Sequence, residues 1–215
     1  MDEGVTERLA AIRQEGKSYF DDVNPAHDWF HVERVYTLGE SLARAEEADI
    51  ETVRLAALLH DIGRKAEDEG RIENHAEWGA ETAAEILDRE GYSTERITAV
   101  SHCIRAHRYS AAPEPRTIEA KVLSDADNLD ALGAIGVART FTYGAQHNSP
   151  IVDPELPPES DSSPAGETSV NHLHKKILQL PDRMYTEAGL NRAKDRHEFV
   201  QAYLNQLNGE IRAER

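Results

Sequence analysis

The chain has 215 residues, enough for one domain with a sizeable core. Its formal net charge of −16 argues against a protein that binds nucleic acid, because an acidic surface repels a phosphate backbone. Without a long apolar run or a signal peptide, and with Cys103 as the single cysteine, we expect a cytoplasmic protein that has no membrane span and no intramolecular disulfide. The acidic, lysine-poor composition further favours a halophilic protein from a high-salt cytoplasm, with an ordinary acidic soluble protein as the alternative.

Apolar residues recur at helical spacing along most of the chain, and no segment alternates with the period of a strand. We therefore predict an all-α fold. The predicted helices cover residues 6–20, 32–47, 51–60, 75–90, a segment capped at 93–96 and running to about 107, residues 117–137, a segment from about 170, and about 187–207. The helix at 51–60 is apolar on most sides and is expected to be central.

Residues 148–167 interrupt the helical pattern. Five prolines stand there among aspartates, glutamates and serines. Proline removes a backbone donor and blocks a helix, so this segment is predicted to be a long loop. Loops of this length are usually lids, binding loops or disordered segments, and we expect disorder, with a lid as the alternative.

The dipeptide His60-Asp61 ends an apolar run at residues 53–59. Burying an imidazole beside a carboxylate is costly unless something pairs them, and a metal ion is the usual partner. Adjacent helical residues point about 100° apart, so both can face one ion only at a helix end. Gly63 suits such an end because it lets the backbone turn away, although it is equally a simple helix-ending glycine.

Four further polar residues lie on or beside apolar helical stripes. They are His31, His75, His102 and Asp127. One histidine on an apolar face is usually a satisfied core residue, but the core cannot cheaply satisfy this whole set together with His60-Asp61. The residues therefore indicate a centre with one or two metal ions. Imidazole and carboxylate ligands suit Mn, Fe, Co, Ni or Zn, with Mg as a further candidate.

These residues and their neighbours resemble the HD-domain superfamily of metal-dependent phosphohydrolases, in particular the small stand-alone hydrolases of bacteria and archaea. The matching segments are 27–35, 58–63 and 125–133, and in the tail 171–178, 183–184 and 196–197. The resemblance covers about residues 20–205. It implies one domain over residues 1–215, a helical bundle with the metal between core helices. The core would span about 20–145, with the helices of 170–209 packed on it.

The resemblance also implies the ligands. The first metal would be bound by His31, His60, Asp61 and Asp127. In members with two ions, the position of Asp61 bridges the pair and two more histidines hold the second ion. His75 and His102 match these two in order and rough spacing, and His107 is a competing candidate. Asp28 is interpreted as a helix N-terminal acid or as a residue that supports a ligand.

The chemistry expected of such a centre is hydrolysis at phosphorus. A metal with an open position supplies hydroxide near neutral pH and polarises phosphoryl oxygens. Asp61 would orient the water in a mononuclear centre, and Arg64 and Lys65, which follow it directly, would act on the phosphate oxygens. Lys176 and His107 are further candidates for substrate binding. A solvated surface role is the alternative for each basic residue.

We therefore predict a metal-dependent phosphohydrolase that acts on a small phosphorylated metabolite, with a nucleotide as the first substrate to test. Two alternatives stay open. Some HD-fold proteins use a six-ligand di-iron centre for oxidation, and this chain carries six such residues, so an oxygenase is the first. A non-catalytic nucleotide-binding module is the second. A homodimer is expected from the frequency of dimers among helical enzymes.

Overall fold

The computed structural model describes residues 3–108 and 113–214. Over these ranges the chain is helical and contains no strand, which confirms the predicted all-α fold. The helices are α1 (Glu3–Ser18), α2 (Trp29–Ala45), α3 (Ile50–Leu59), α4 (Arg64–Asp68), α5 (His75–Arg89), α6 (Thr94–Ala106), α7 (Ile118–Asp130), α8 (Gly133–Gln146), α9 (Ser169–Lys175) and α10 (Glu187–Ile211), with 3₁₀ turns at Pro25–His27 and Ile177–Arg183. Among the described helices, none combines the length and apolarity that a membrane span requires.

The chain divides into two compact units, Met1–Asp127 and Asn128–Arg215. In the first unit, α3 is central, as its composition predicts: its residues from Leu55 to Leu59 are completely buried, and it contacts α1, α2, α5 and α6. In the second unit, α10 packs on α8 and on the turn at Ile177–Arg183. The apolar stripes of these helices supply the cores that position the polar residues discussed below.

Polar caps set the starts of several helices close to their predicted positions. The side chains of Asp28, Asn74 and Ser93 each accept a hydrogen bond from a backbone N–H in the first turn of α2, α5 and α6, respectively. Such bonds satisfy donors that have no partner within the helix. For Asp28, the acceptor faces the N–H of His31 at 3.0 Å, so its interpretation as a helix N-terminal acid is confirmed.

The prediction of a single helix over residues 117–137 is wrong, because the chain forms two helices there. α7 ends at Asp130 and α8 begins at Gly133, with Leu132 extended between them. Gly133 has a φ of +76°, a conformation that side chains with a Cβ rarely adopt. A Cβ there would also lie 3.0 Å from the side chain of Arg196. An isolated glycine is tolerated within many helical patterns, so the apolar period alone did not reveal this break.

The segment 148–167 is non-helical, as predicted, but it is held by internal hydrogen bonds, in contrast to the expected disorder. Its centre is the buried carboxylate of Asp161. That group accepts hydrogen bonds from the backbone N–H groups of Ser163 and Glu167, both at 2.8 Å, and from Asn171 Nδ2 at 2.7 Å. Lys175 Nζ donates to the carbonyl of Ser163 at 2.7 Å. One carboxylate thus ties the loop to α9.

Replacing Asp161 by Asn should lower the thermal midpoint by several degrees at pH 7, because an amide has one acceptor oxygen for these donors. The backbone N–H of Glu167 is the main cause that lowers the pKa of Asp161 to about 2. Since an ordinary Asp has a pKa of about 3.9, this stabilisation is present above pH 4 or so and is lost as the pH falls through the folded-state pKa.

Thermal unfolding by circular dichroism between pH 7 and pH 2 tests this. The difference in thermal midpoint between the wild type and Asp161→Asn should become small as the pH approaches 2. Glu159→Gln, an exposed change in the same loop, should leave the midpoint unchanged. A difference in midpoint that is the same at all pH values would show that the negative charge of Asp161 does not stabilise the loop.

Candidate metal centre

The His60-Asp61 dipeptide lies at the C-terminal end of α3, where the sequence predicts it. His60 is the C-cap residue of that helix and is completely buried, and its Nδ1 lies 2.9 Å from the carbonyl oxygen of Ala57. Asp61 is 5% exposed, and its Oδ2 lies 3.7 Å from His60 Nε2. Leaving the helix at this point allows both side chains to face one cluster.

Gly63 positions the next part of the cluster, although not by the means predicted. Its φ of −88° is ordinary, and it precedes α4 rather than ending α3 in a left-handed turn. A Cβ at Gly63 would lie 2.8 Å from the carbonyl oxygen of His75 and 3.0 Å from the ring of Trp78. The missing side chain therefore lets the start of α5 approach the turn after Asp61.

One half of the cluster lies on the Oδ2 side of Asp61. His31 Nε2, from α2, lies 3.8 Å from that oxygen and 3.4 Å from His60 Nε2. Asp127, from α7, places its Oδ1 3.4 Å from His31 Nε2. The donor atoms of His31, His60 and Asp61 lie close enough together to hold one metal ion.

The other half lies on the Oδ1 side of Asp61. His75 Nε2, at the start of α5, is 3.2 Å from this oxygen, and His107 Nε2, directly after α6, is 3.6 Å from it. The two imidazole Nε2 atoms are 3.4 Å apart. Asp61, His75 and His107 form a second buried group that could hold a metal ion. The two oxygens of Asp61 therefore face different pairs of histidines.

The hydrogen bonds on the far side of the rings show which nitrogen is available. His60 Nδ1 and His107 Nδ1 lie 2.9 and 2.6 Å from backbone carbonyl oxygens, and His75 Nδ1 lies 2.7 Å from Glu67 Oε2. These oxygens only accept, so each Nδ1 carries a proton, and the neutral form of each ring therefore has its Nε2 lone pair directed into the cluster. Converging lone pairs repel one another unless a cation lies between them. The donor set therefore fits a metal centre.

Burial and mutual charge set the protonation of the cluster. Burial lowers the pKa of His60 to about 4, which favours the neutral ring. Burial alone would raise the pKa of Asp61, but His60, His107 and His75 together bring it well below its usual range. Burial alone would lower the pKa of His107, but the hydrogen bond and the charge of the neighbouring Asp61 carboxylate leave this pKa raised. Asp61 is thus the anion that the imidazoles share.

The prediction that His102 belongs to this centre is corrected. His102 is half-buried, and its Nε2 accepts a hydrogen bond from the backbone N–H of Arg116 at 3.1 Å. His107 occupies the expected place beside Asp61 instead. Five residues along a helix rotate a side chain by about 140°, so these two histidines cannot share one direction. His107 accordingly belongs with the potential metal ligands rather than with the substrate-binding residues.

The three predicted basic residues lie in different surroundings. Arg64 is mostly buried, and its Nε lies 3.4 Å from Asp68 Oδ1. Burial alone would lower the pKa of Arg64, but the nearby carboxylates, chiefly Asp61, leave this pKa raised. Lys65 Nζ donates to the carbonyl of Asp21 at 2.6 Å, which directs it away from the role expected for it. Lys176 is exposed at the C-cap of α9 in the second unit, where its substrate role stays a prediction.

Glu67 is the residue that sequence reasoning missed. Its carboxylate accepts hydrogen bonds from both the ring and the backbone N–H of His75, and also from Arg108 at 2.9 Å. Burial would raise the pKa of Glu67, but the bond to His75 and the charge of Arg108 leave it lowered. In a chain with 40 acidic residues, no composition or spacing marks this glutamate. Its position in the sequence, six residues after Asp61, is the one available signal.

Comparison with known proteins places these residues in a family. Residues 29–132 match the HD domain. The chain is 32% identical to YpgQ of Bacillus subtilis over 208 residues, which cover 93% of this chain and 92% of that protein. A crystal structure of an HD-superfamily hydrolase from Bacillus thuringiensis has a TM-score of 0.78 and 31% identity, and the match covers 97% of this chain and 99% of that one.

A crystal structure of Bacillus subtilis YpgQ in complex with ADP has a TM-score of 0.75 and 30% identity, over 94% of this chain and 97% of that one. The likeness thus extends over nearly the whole chain and is not confined to the segment that carries the His-Asp dipeptide. On the evidence of both the matched domain and these full-length relatives, the protein belongs to the HD superfamily of hydrolases.

Proposed function

We propose that this protein is a metal-dependent phosphohydrolase that cleaves a phosphoester or phosphoanhydride bond of a small phosphorylated metabolite, with a nucleotide as the first candidate. The observation that carries this proposal is the position of Asp61. One of its carboxylate oxygens faces His31 and His60, and the other faces His75 and His107. A carboxylate between two pairs of imidazoles is suited to bridge two metal ions.

The residues divide into two ligand sets that share Asp61. The first divalent ion would be held by His31, His60, Asp61 and Asp127, and the second by Asp61, His75 and His107. Nitrogen and oxygen donors of this kind suit Mn, Fe, Co, Ni or Zn better than Mg, which prefers oxygen. Ionised carboxylates and neutral Nε2 atoms are the forms that bind a metal.

Divalent ions bound there would lower the pKa of a water molecule towards neutrality and polarise the phosphoryl oxygens of a substrate. Asp61 and the surrounding imidazoles would hold the metal ions at one buried place, and the hydrogen bonds of His60 and His107 to backbone carbonyl groups restrict rotation of these rings. Arg64 contributes a positive charge next to Asp61 and Asp127. That charge is available to stabilise the negative charge that develops on the phosphoryl group.

The choice of a nucleotide rests on a relative. Bacillus subtilis YpgQ, which matches this chain over nearly its whole length, was crystallised in complex with ADP. We infer that this protein also binds a nucleotide. Cytoplasmic location, a homodimeric state and the absence of nucleic-acid binding remain predictions from the sequence.

Changing Asp61 to Ala should abolish both metal retention and turnover, because it removes the ligand shared by the two sets. The assay measures phosphate and pyrophosphate release from a panel of nucleotides and phosphoesters. The metal-free protein receives Mn, Mg, Co, Ni, Zn or anaerobic Fe(II) in high salt. Metal-dependent release by the wild type, with at least a ~100-fold loss in Asp61→Ala, is the expected result.

Other outcomes of this assay would contradict the proposal. If no substrate in the panel is hydrolysed, and the protein binds two irons per chain and shows an iron–oxygen absorption band, a di-iron oxygenase is supported instead. Nucleotide binding without turnover under every metal would support a non-catalytic module. Full metal content and activity in Asp61→Ala would show that the centre lies elsewhere.

A matched pair of histidine variants tests the corrected ligand set. His107→Gln should remove the second metal ion and lower kcat by at least about 100-fold, because it deletes a ligand of that ion, and even loss of a residue that only supports a ligand costs about 10–100-fold. His102→Gln alters the same helix but should leave the metal content and kcat unchanged. Metal analysis of both purified variants, with kcat measured at saturating Mn, is the experiment. Loss of the ion in His102→Gln alone would restore the original prediction.

We further infer that the protein works at high salt. The net charge of −16 opposes compaction through self-repulsion, and salt shortens the Debye length from about 10 Å at 0.1 M to about 3 Å at 1 M. The thermal midpoint should therefore rise by several degrees as KCl increases from 0.1 to 1 M. Differential scanning calorimetry measures this, and a midpoint that is constant or falls over this range would contradict the inference.

A further inference from the structure

We propose that Glu67 is a positioning residue that sets the affinity of the second ligand set for its metal ion, acting through His75. This inference rests on the proposed function, because that ligand set is part of the proposed centre. Glu67 lies on α4, four residues after Gly63, and its own carboxylate is absent from both groups of potential ligands. Its effect on the metal would therefore be indirect.

Glu67 contacts His75 at two points. Its Oε2 lies 2.7 Å from His75 Nδ1, and its Oε1 accepts a hydrogen bond from the backbone N–H of His75 at 3.2 Å. The first contact sets the rotation of the ring, and the second fixes the start of α5. Together they direct His75 Nε2 towards Asp61, 3.2 Å away.

The acceptor that holds His75 differs in charge from those that hold two other rings of the cluster. The Nδ1 atoms of His60 and His107 both face neutral backbone carbonyl groups. His75 faces a carboxylate, and a hydrogen bond to an ionised acceptor is the stronger kind. Such a bond makes the opposite ring nitrogen a better electron donor to a metal. Glu67 therefore strengthens one ligand of the second set.

Two arginines keep Glu67 in place. Arg108, which follows α6, donates to Oε1 at 2.9 Å, and Arg64 NH1 lies 3.9 Å from Oε2. Arg108 also donates to Asn74, the residue that caps α5, at 3.4 Å. The segment after Asp61, the start of α5 and the end of α6 therefore meet at Glu67. A change there should affect the second ligand set and leave His31 and Asp127 untouched.

The test measures metal binding directly. Metal-free wild type, Glu67→Ala and Glu67→Gln are titrated with Mn(II) by calorimetry, and the Mn content and the electron paramagnetic resonance signal of a coupled Mn pair are recorded. Glu67→Ala should weaken the second Mn by about 10–100-fold, lose the coupled signal and keep the first Mn. Glu67→Gln should lose less, because its amide oxygen still accepts from Nδ1–H but carries no charge.

Glu77→Gln is the matched control. Glu77 is an exposed carboxylate on α5 that pairs with Arg105 at 2.8 Å, so this variant breaks a similar ion pair on the helix of His75. Both Mn affinities should stay at the wild-type values. Glu67→Gln has nearly the shape of the native side chain, so it supplies the comparison if Glu67→Ala does not fold.

The outcomes separate this inference from the proposed function. If the wild type binds two Mn ions and both Glu67 variants bind them with unchanged affinity, the inference is wrong and the hydrolase proposal stands. Equal loss of both ions would also overturn it, since that indicates a purely structural role. A wild type that binds fewer than two Mn ions would also overturn the inference, because there would be no second ion whose affinity Glu67 could set. Selective loss of the second Mn in a protein that hydrolyses nothing would support the inference and refute the proposed function.

Discussion

The constraint on which the first unit depends is a single carboxylate, Asp61, buried among four imidazoles. Removing a carboxylate from water is costly, and only its surroundings can compensate. Five helices meet this requirement: α3 ends directly before Asp61, and α2, α5, α6 and α7 each bring one residue with a donor atom to the cluster or its edge. The apolar core around α3 therefore serves to hold a polar centre at defined distances.

Helix ends provide much of that definition. His60 and His107 are both C-cap residues, and each donates its Nδ1–H to the carbonyl three residues earlier in its own helix. Such carbonyls lack a partner at the end of a helix. One bond thus completes the helix and orients the ring. His75 is placed differently, at the start of α5, where Gly63 leaves room for it and Glu67 holds it.

The negative net charge of the chain opposes binding of the proposed substrate, since an acidic protein repels a phosphorylated anion at long range. The conflict is resolved locally. Divalent ions at the centre would neutralise the carboxylates of Asp61 and Asp127, and Arg64 and Arg108 lie within the same region of the first unit. In high salt the long-range repulsion is screened, whereas contacts at a buried site are affected much less. Local cations can therefore govern binding despite the net charge.

The sequence by itself determined the helical class, most of the helix positions, and the location of His60-Asp61 at a helix end, because periodicity and capping act within one segment. It also placed His31 and His75 on buried faces and Asp127 on the apolar stripe of its helix. Tertiary structure decided that His107 rather than His102 lies beside Asp61, that Glu67 holds His75, and that Gly133 divides one predicted helix into two. These outcomes depend on distances between helices and on which side chains fill the space between them. At Gly133, for example, the side chain of Arg196 occupies the space that a Cβ would need. A helical period fixes which residues share a face, but it does not fix what that face meets.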